Sequence, residues 1–312
     1  MKALMYHYVR PQPRDLPYFR YLHVDDFRNQ LDFLAAADRF VGRDEFVAAC
    51  RTGVAPSDGV ILTFDDGFSD HYRHVLPCLA ERGLWGVFYV PSGPYATGKL
   101  LDVHRIHMLL GAFGGQQVLD RLDARLEPSM LSHEHVAEFT TATYSRQTND
   151  EATNRCKRLL NYYVSYQWRE LLLDDLMRTF FGDERRLVDA FYMSPAELKE
   201  MNAAGMLLGS HSVSHPVFSK LNDADQEAEI RDSFAFLDRV VGPLPTRTFC
   251  YPYGGFHSFT PVTEQLLTKH GCQFSFNVEP RDIEDRDLKC RPQALPRFDC
   301  NQFPHGQARL RA

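Results

Sequence analysis

Two adjacent carboxylates end an apolar run, V-I-L-T-F-D-D-G from Val60 to Gly67. Like charges that close repel, and burial sharpens the repulsion, so a nearby cation would offset the cost. Further along, G-S-H-S-V-S-H-P sets His211 and His215 four residues apart before Pro216, and C-Y-P-Y-G-G-F crowds aromatic residues and glycines between Cys250 and Phe256. Two imidazoles and one carboxylate make an open three-ligand set for a divalent ion, leaving a position for water. Asp66, His211 and His215 would form that set. Asp65, one residue away and pointing differently, would then stand close enough to take a proton from the attacking water. Taken singly, D-D-G is a common surface turn and H-x-x-x-H is commonly incidental; their joint occurrence at successive strand ends points to one site.

The elements that must position these residues follow a βα rhythm. Residues 3–9 read as a short strand before Pro11 and Pro13, and Asp25 to Ala37 as a helix with Phe27, Leu31, Leu34 and Ala35 on one face. The strand ending at Asp65 is followed by a helix from His71 to Arg82, closed by Gly83, and by a strand in L-W-G-V-F-Y-V-P-S. Strand, helix and strand with short joints are the unit of a parallel sheet. Roughly residues 95–193 break the rhythm with helical patterns at Asp102–Leu110, Gln117–Leu126 and Trp168–Phe181. This stretch reads as a largely helical insertion within one domain spanning 1–312, a cap that would shape substrate choice. The rhythm resumes with a capping box at Ser194, strands in G-M-L-L-G-S-H-S, T-R-T-F-C-Y-P-Y-G-G and C-Q-F-S-F-N-V, and helices at Asp223–Val241 and Pro261–His270.

The bulk numbers limit the function classes. A chain of 312 residues with 44% hydrophobic and 24% charged residues buries a sizeable core. A formal net charge of −6 argues against a nucleic-acid partner. No run of about 18 apolar residues occurs, so no membrane span is expected, and M-K-A-L-M-Y-H-Y-V-R-P lacks a signal-length apolar run. A cytoplasmic location is the expectation. Seven scattered cysteines without a C-x-x-C pair suit reduced thiols.

T-F-D-D-G at Thr63–Gly67, H-S-x-x-H-P at His211–Pro216 and Y-P-Y-G at Tyr251–Gly254 resemble the motifs of the NodB-type polysaccharide deacetylases, a carbohydrate esterase family. The resemblance implies an α/β fold, a distorted (β/α) barrel, and metal-dependent removal of acetyl groups from an N-acetylated sugar or glycoconjugate precursor. It implies Asp65 as general base, with Asp66, His211 and His215 holding one divalent ion, zinc first, with cobalt, nickel or manganese as alternatives. The Tyr253 N–H would donate to the oxyanion, and Tyr251, Pro252 and Gly254 would contact substrate. Many members begin the third motif with an arginine that pairs with the base; here Cys250 and Tyr251 occupy that neighbourhood, and Arg297 in L-P-R-F-D-C is the substitute, with Asp299 placed to orient a histidine. No C-terminal L-x-H motif is present. His7 in M-Y-H-Y resembles the acid of a permuted subgroup whose last-strand histidine has moved to the N-terminus. His104, three residues before His107, is a further candidate for substrate contact, and Tyr6, Tyr8, Tyr251, Tyr253 and Phe256 for an aromatic platform. A hydrolase of small non-sugar amides or formamides, and an inactive carbohydrate-binding homologue, remain as alternatives, and self-association is left open.

Overall fold

All five residues of Val60–Phe64 are buried, as expected of a strand covered on both faces. A computed structural model describes residues 1–12, 15–132 and 149–308, and in it this strand lies inside a seven-stranded parallel sheet. In chain order the strands are β1 (Lys2–Tyr6), β2 (Val9–Arg10), β3 (Leu22–His23), β4 (Val60–Phe64), β5 (Val87–Val90), β6 (Leu207–Ser210), β7 (Thr248–Cys250), β8 (Phe274–Phe276) and β9 (Phe298–Asp299). The large sheet runs β8-β7-β6-β5-β4-β1-β9, while β2 and β3 pair separately. Leu295 bridges to Phe276 of β8, and β9 three residues later pairs with β1, so one short segment bonds both edges of the sheet and curls it into a barrel.

The chain divides into two compact units. The first holds Met1–Pro11, Tyr21–Gly98 and Asp189–Arg309, and carries every strand among the described residues. Its core stacks Tyr6, Phe64 and Phe88, with Phe27 edge-on to Tyr6, between the sheet and the helix Val24–Ala37. The second, Gln12–Arg20 with Lys99–Val188, holds the helices Asp102–Phe113, Gly115–Asp123, Glu151–Arg158 and Tyr166–Phe180 among its described residues. Leu109, Leu122, Leu160 and Leu173 are fully buried there, and Arg105, also buried, pairs with Glu184 at 2.8 Å and Asp174 at 2.9 Å. No helix among the described residues is long and apolar enough to cross a membrane.

Two local departures from the sequence reading have physical causes. The strand expected over 3–9 stops at Tyr6, because the Tyr8 carbonyl accepts from Leu22 N–H and draws the chain into the second sheet. The helix expected from His71 to Arg82 is a π-turn, His71–Val75, followed by a short α-helix, Leu76–Ala80. Pro77 lacks the N–H that would continue the helical ladder and its ring crowds the carbonyl four residues back, so the turn widens. The helices Arg43–Thr52 and Asp285–Cys290 went unread.

Candidate active site

The ends of β1, β4, β6, β7 and β9 assemble one cluster. At the end of β4 the Asp65 N–H donates to the Tyr6 carbonyl at 2.9 Å, which ties the acid to the end of β1. Asp66 then takes φ of 77° and Gly67 of 64°. This abrupt reversal separates the two carboxylates: Asp65 faces Arg297, and Asp66 faces the histidines.

Asp66 Oδ1 lies 3.4 Å from His211 Nε2 and 3.5 Å from His215 Nε2. Two ligand atoms each about 2.0–2.1 Å from a tetrahedral zinc ion sit about 3.4 Å apart. The three donors are buried and lie within 4.8 Å of one another. His211 Nδ1 is 2.7 Å from the Cys250 carbonyl, an acceptor only, so Nδ1 carries a proton and Nε2, the ring atom facing Asp66, is the one left to ligate an ion. Burial opposes a charge on His211, yet Cys250, Asp66 and Asp65 raise its pKa well above the ordinary imidazole value. The carboxylates thus call for a positive charge at this point, which a proton or a divalent ion supplies. The donor set, its spacing and the fixed tautomer fit one divalent cation.

The loop carrying the two imidazoles is held from two sides. Glu229, on the helix Asp223–Val241, accepts from Val213 N–H at 2.7 Å, Ser214 N–H at 2.9 Å and the Ser214 hydroxyl at 2.6 Å. From the other side Gly93 N–H donates to the Val213 carbonyl at 2.8 Å, an approach so close that a Cβ on Gly93 would stand 2.6 Å from that oxygen. Within the loop, Ser212 Oγ accepts from His215 N–H at 3.0 Å. Ser212 and His215 both have positive φ, as do Asp66 and Tyr253; four of the five such non-glycine residues among those described belong to this cluster. Each costs on the order of 1–3 kcal/mol and persists only where its surroundings over-determine it.

Asp65 is almost fully buried and receives a bidentate guanidinium: Arg297 Nη1 to Oδ1 and Nη2 to Oδ2, both 2.8 Å. Arg297 also donates to Thr63 Oγ1 at 3.0 Å and to Cys250 Sγ at 3.0 Å, and the Cys250 thiol points at Asp65 Oδ2 from 3.4 Å. Burial pushes the Cys250 thiol up and keeps it protonated. Burial also works to raise the Asp65 carboxyl, but Arg297, His211 and His7 outweigh it and hold it below the usual carboxylate range. His7 Nε2 stands 4.0 Å from Asp65 Oδ2, on a half-exposed side chain.

In the third motif, Gly254 N–H bonds the Tyr251 carbonyl at 3.2 Å, with Pro252 second and Tyr253 third in the turn at φ 65°. That is the type II arrangement, which asks for positive φ at the third place. Gly254 is required twice over, since its own φ is 60° and a Cβ would stand 2.2 Å from Val278 Cγ2. The Tyr253 ring packs on His215 with centroids 4.9 Å apart.

Several sequence-derived candidates stand elsewhere. The Tyr251 ring is buried, stacked on Phe259 at 3.8 Å with its hydroxyl donating to the Gln293 carbonyl, so this side chain is core and not a substrate contact. Pro252, second in the turn, is buried. Asp299 does not orient a histidine: its carboxylate accepts from Asn301 N–H at 3.0 Å and caps the turn after β9. Tyr6 is a core residue, and Tyr8 stacks on Phe68 at 4.2 Å. His104 belongs to the second unit, fully buried, its ring 6.3 Å from that of His107. The sequence reading passed over Glu229, Cys250 as a donor to Asp65, and His71. Glu229 shows no signal in the sequence, since an acid on the polar face of a helix reads as solvated.

A curled parallel sheet with these motifs on its strand ends is the NodB-type (β/α) barrel. The family described as polysaccharide deacetylase matches residues 171–275, the part of the chain that carries both imidazoles and the third motif. No curated protein sequence matches. Among solved structures, the deacetylase PplD of Streptococcus pyogenes in complex with acetate superposes with a TM-score of 0.58 at 16% identity, covering 96% of this chain and 91% of that one. IcaB from Ammonifex degensii gives 0.57 at 20% identity over 96% and 90%. A de-N-acetylase from Aggregatibacter actinomycetemcomitans gives 0.50 at 15% identity over 95% and 93%. At these identities the superpositions establish the fold. The family match spans about a third of the chain, and the fold is that of the polysaccharide deacetylases it superposes on.

Proposed function

We propose that this chain hydrolyses the acetamide of an N-acetylated sugar or glycoconjugate precursor, releasing acetate, with a divalent ion held by Asp66, His211 and His215. The observation that carries the reading is the division of labour between neighbours: Asp66 turned to two imidazole nitrogens at 3.4 and 3.5 Å, Asp65 turned to Arg297. The name of the S. pyogenes neighbour, a deacetylase with acetate bound, supports it.

A divalent cation in this set supplies Lewis-acid polarisation of the acetyl carbonyl and of the attacking water. Asp65 takes the water's proton as the oxygen attacks the carbonyl carbon. A carboxylate held this low is a weak base, so it would rely on the acidity that a bound cation would lend the water. Arg297 keeps it ionised and fixes its plane. The Tyr253 N–H, at the turn beside His215, donates to the developing oxyanion. His7 protonates the departing nitrogen as the carbon–nitrogen bond breaks, giving acetate and a free amine.

The test is acetate release from a panel of N-acetylated sugars, nucleotide sugars and small amides or formamides, before and after chelation and with zinc, cobalt, nickel or manganese restored. Turnover confined to acetylated sugars and dependent on metal is expected. Release from small amides alone would overturn the substrate class, and undiminished activity in Asp65→Asn would overturn the base.

A further inference from the structure

His71 is a buried imidazole that the proposed chemistry leaves unused. Its ring is walled by Phe64, Phe68 and Phe88, with centroids 5.6, 5.5 and 5.7 Å away. Burial pushes its pKa down to about 4, so the ring is neutral. Nε2 lies 2.9 Å from the His7 carbonyl, which only accepts, so Nε2 carries the proton and donates it. Among the described residues Nδ1 has no hydrogen-bond partner. A phenylalanine would fill this pocket at lower desolvation cost. The single polar act of the ring is to hold the His7 backbone.

The hydrogen bonds of that backbone form a sequence. The Tyr6 carbonyl accepts from Asp65 N–H, the His7 carbonyl from His71, and the Tyr8 carbonyl from Leu22 N–H. His7 lies in the joint between β1 and β2, and of the three carbonyls its own is the one held by a side chain. That side chain is placed by the π-turn His71–Val75, where Leu76 N–H reaches back five residues to the His71 carbonyl. Such turns recur at functional positions.

We infer that His71 is a positioning residue for His7: its Nε2–H holds the His7 backbone so that the His7 ring stays at the edge of the Asp65 cluster, ready to protonate the leaving amine. This rests on the reading of His7 as the acid.

The experiment compares His71→Phe, which keeps the shape and removes the donor, with His71→Gln, which keeps a donor, each with and without His7→Ala. The probes are an N-acetylglucosamine oligomer and 4-nitrophenyl acetate. An amine leaves only when protonated, whereas 4-nitrophenolate leaves unaided. General acids contribute about 10²–10⁴-fold, so H71F is expected to lose about 10–100-fold in kcat on the oligomer with KM nearly unchanged, and under about threefold on the ester. H71Q restores most of the loss, and H71F costs nothing further on the residual activity of H7A. Metal content and melting temperature stay near wild type.

Full activity of H7A would defeat the reading of His7 itself. With H7A impaired, wild-type kcat in H71F, or an equal fractional loss in the H7A background, overturns the present inference alone. Should H71F fail to fold, or the oligomer not be turned over, ¹⁵N spectra of the wild-type protein decide: a neutral, exchange-protected Nε2–H at His71 is expected, and an Nδ1–H tautomer or a charged ring overturns the contact.

Discussion

Arg297 meets Asp65 through two parallel 2.8 Å hydrogen bonds across 232 residues of sequence, with both side chains almost fully buried. Removing one partner of such a pair leaves an uncompensated buried charge. Arg297→Ala is therefore expected to lose about 3–5 kcal/mol of stability, measured by urea denaturation, as well as activity. Arg297→Lys should recover little of either, because an ammonium cannot present two parallel donors to one carboxylate.

Glu229 accepts three hydrogen bonds from Val213 and Ser214, in the loop between His211 and His215. Glu229→Ala should weaken metal binding by about 10–100-fold, the scale on which supporting partners act. Competition with a chromogenic chelator reads this directly and needs no substrate.

Metal should stabilise the fold as well as serve the reaction. Free zinc at 100-fold over its Kd adds about 2.7 kcal/mol if the unfolded chain does not bind it. Thermal melts of the chelated protein are expected to rise on adding zinc, and those of His215→Ala to rise far less. Equal shifts in the two proteins would remove His215 from the ligand set.

Acid should destabilise the wild type through His71. Its ring is neutral in the fold down to about pH 4, while the unfolded chain takes up a proton near the ordinary value of 6.5. The unfolded state therefore binds more protons between these values, so stability is full above about pH 6.5 and falls as pH drops toward 4. The loss attributable to this group approaches about 3 kcal/mol. Urea midpoints of His71→Phe across that window should lack this component of the slope.

The sequence showed more of the regular elements than of the connections between them. The helix Asp223–Val241 is read with the bounds found, because Asn222 caps it and its apolar residues recur at helical spacing. Asp66, His211 and His215 were legible because their types and spacing name a chemistry before any fold is known. Tyr251 was misplaced for the converse reason: an aromatic beside glycines reads as a surface platform, and nothing local reveals that Phe259 and Gln293 enclose it. Glu229 and His71 act through backbone groups of other segments, and such partnerships leave no mark on residue spacing.

Barrel closure also bears on the order of folding. The segment that carries Arg297 is bonded through Leu295 to β8 and through Phe298 and Asp299 to β1. Pairing residues 4–5 with 298–299 closes one of the longest loops available to this chain, a step that slow, non-local topologies defer. Until it happens Asp65 has no guanidinium beside it. A nascent or partly unfolded molecule can thus own every strand of the inner sheet and still lack the guanidinium that fixes the plane of the Asp65 carboxylate, so the candidate site is complete only with the last seam.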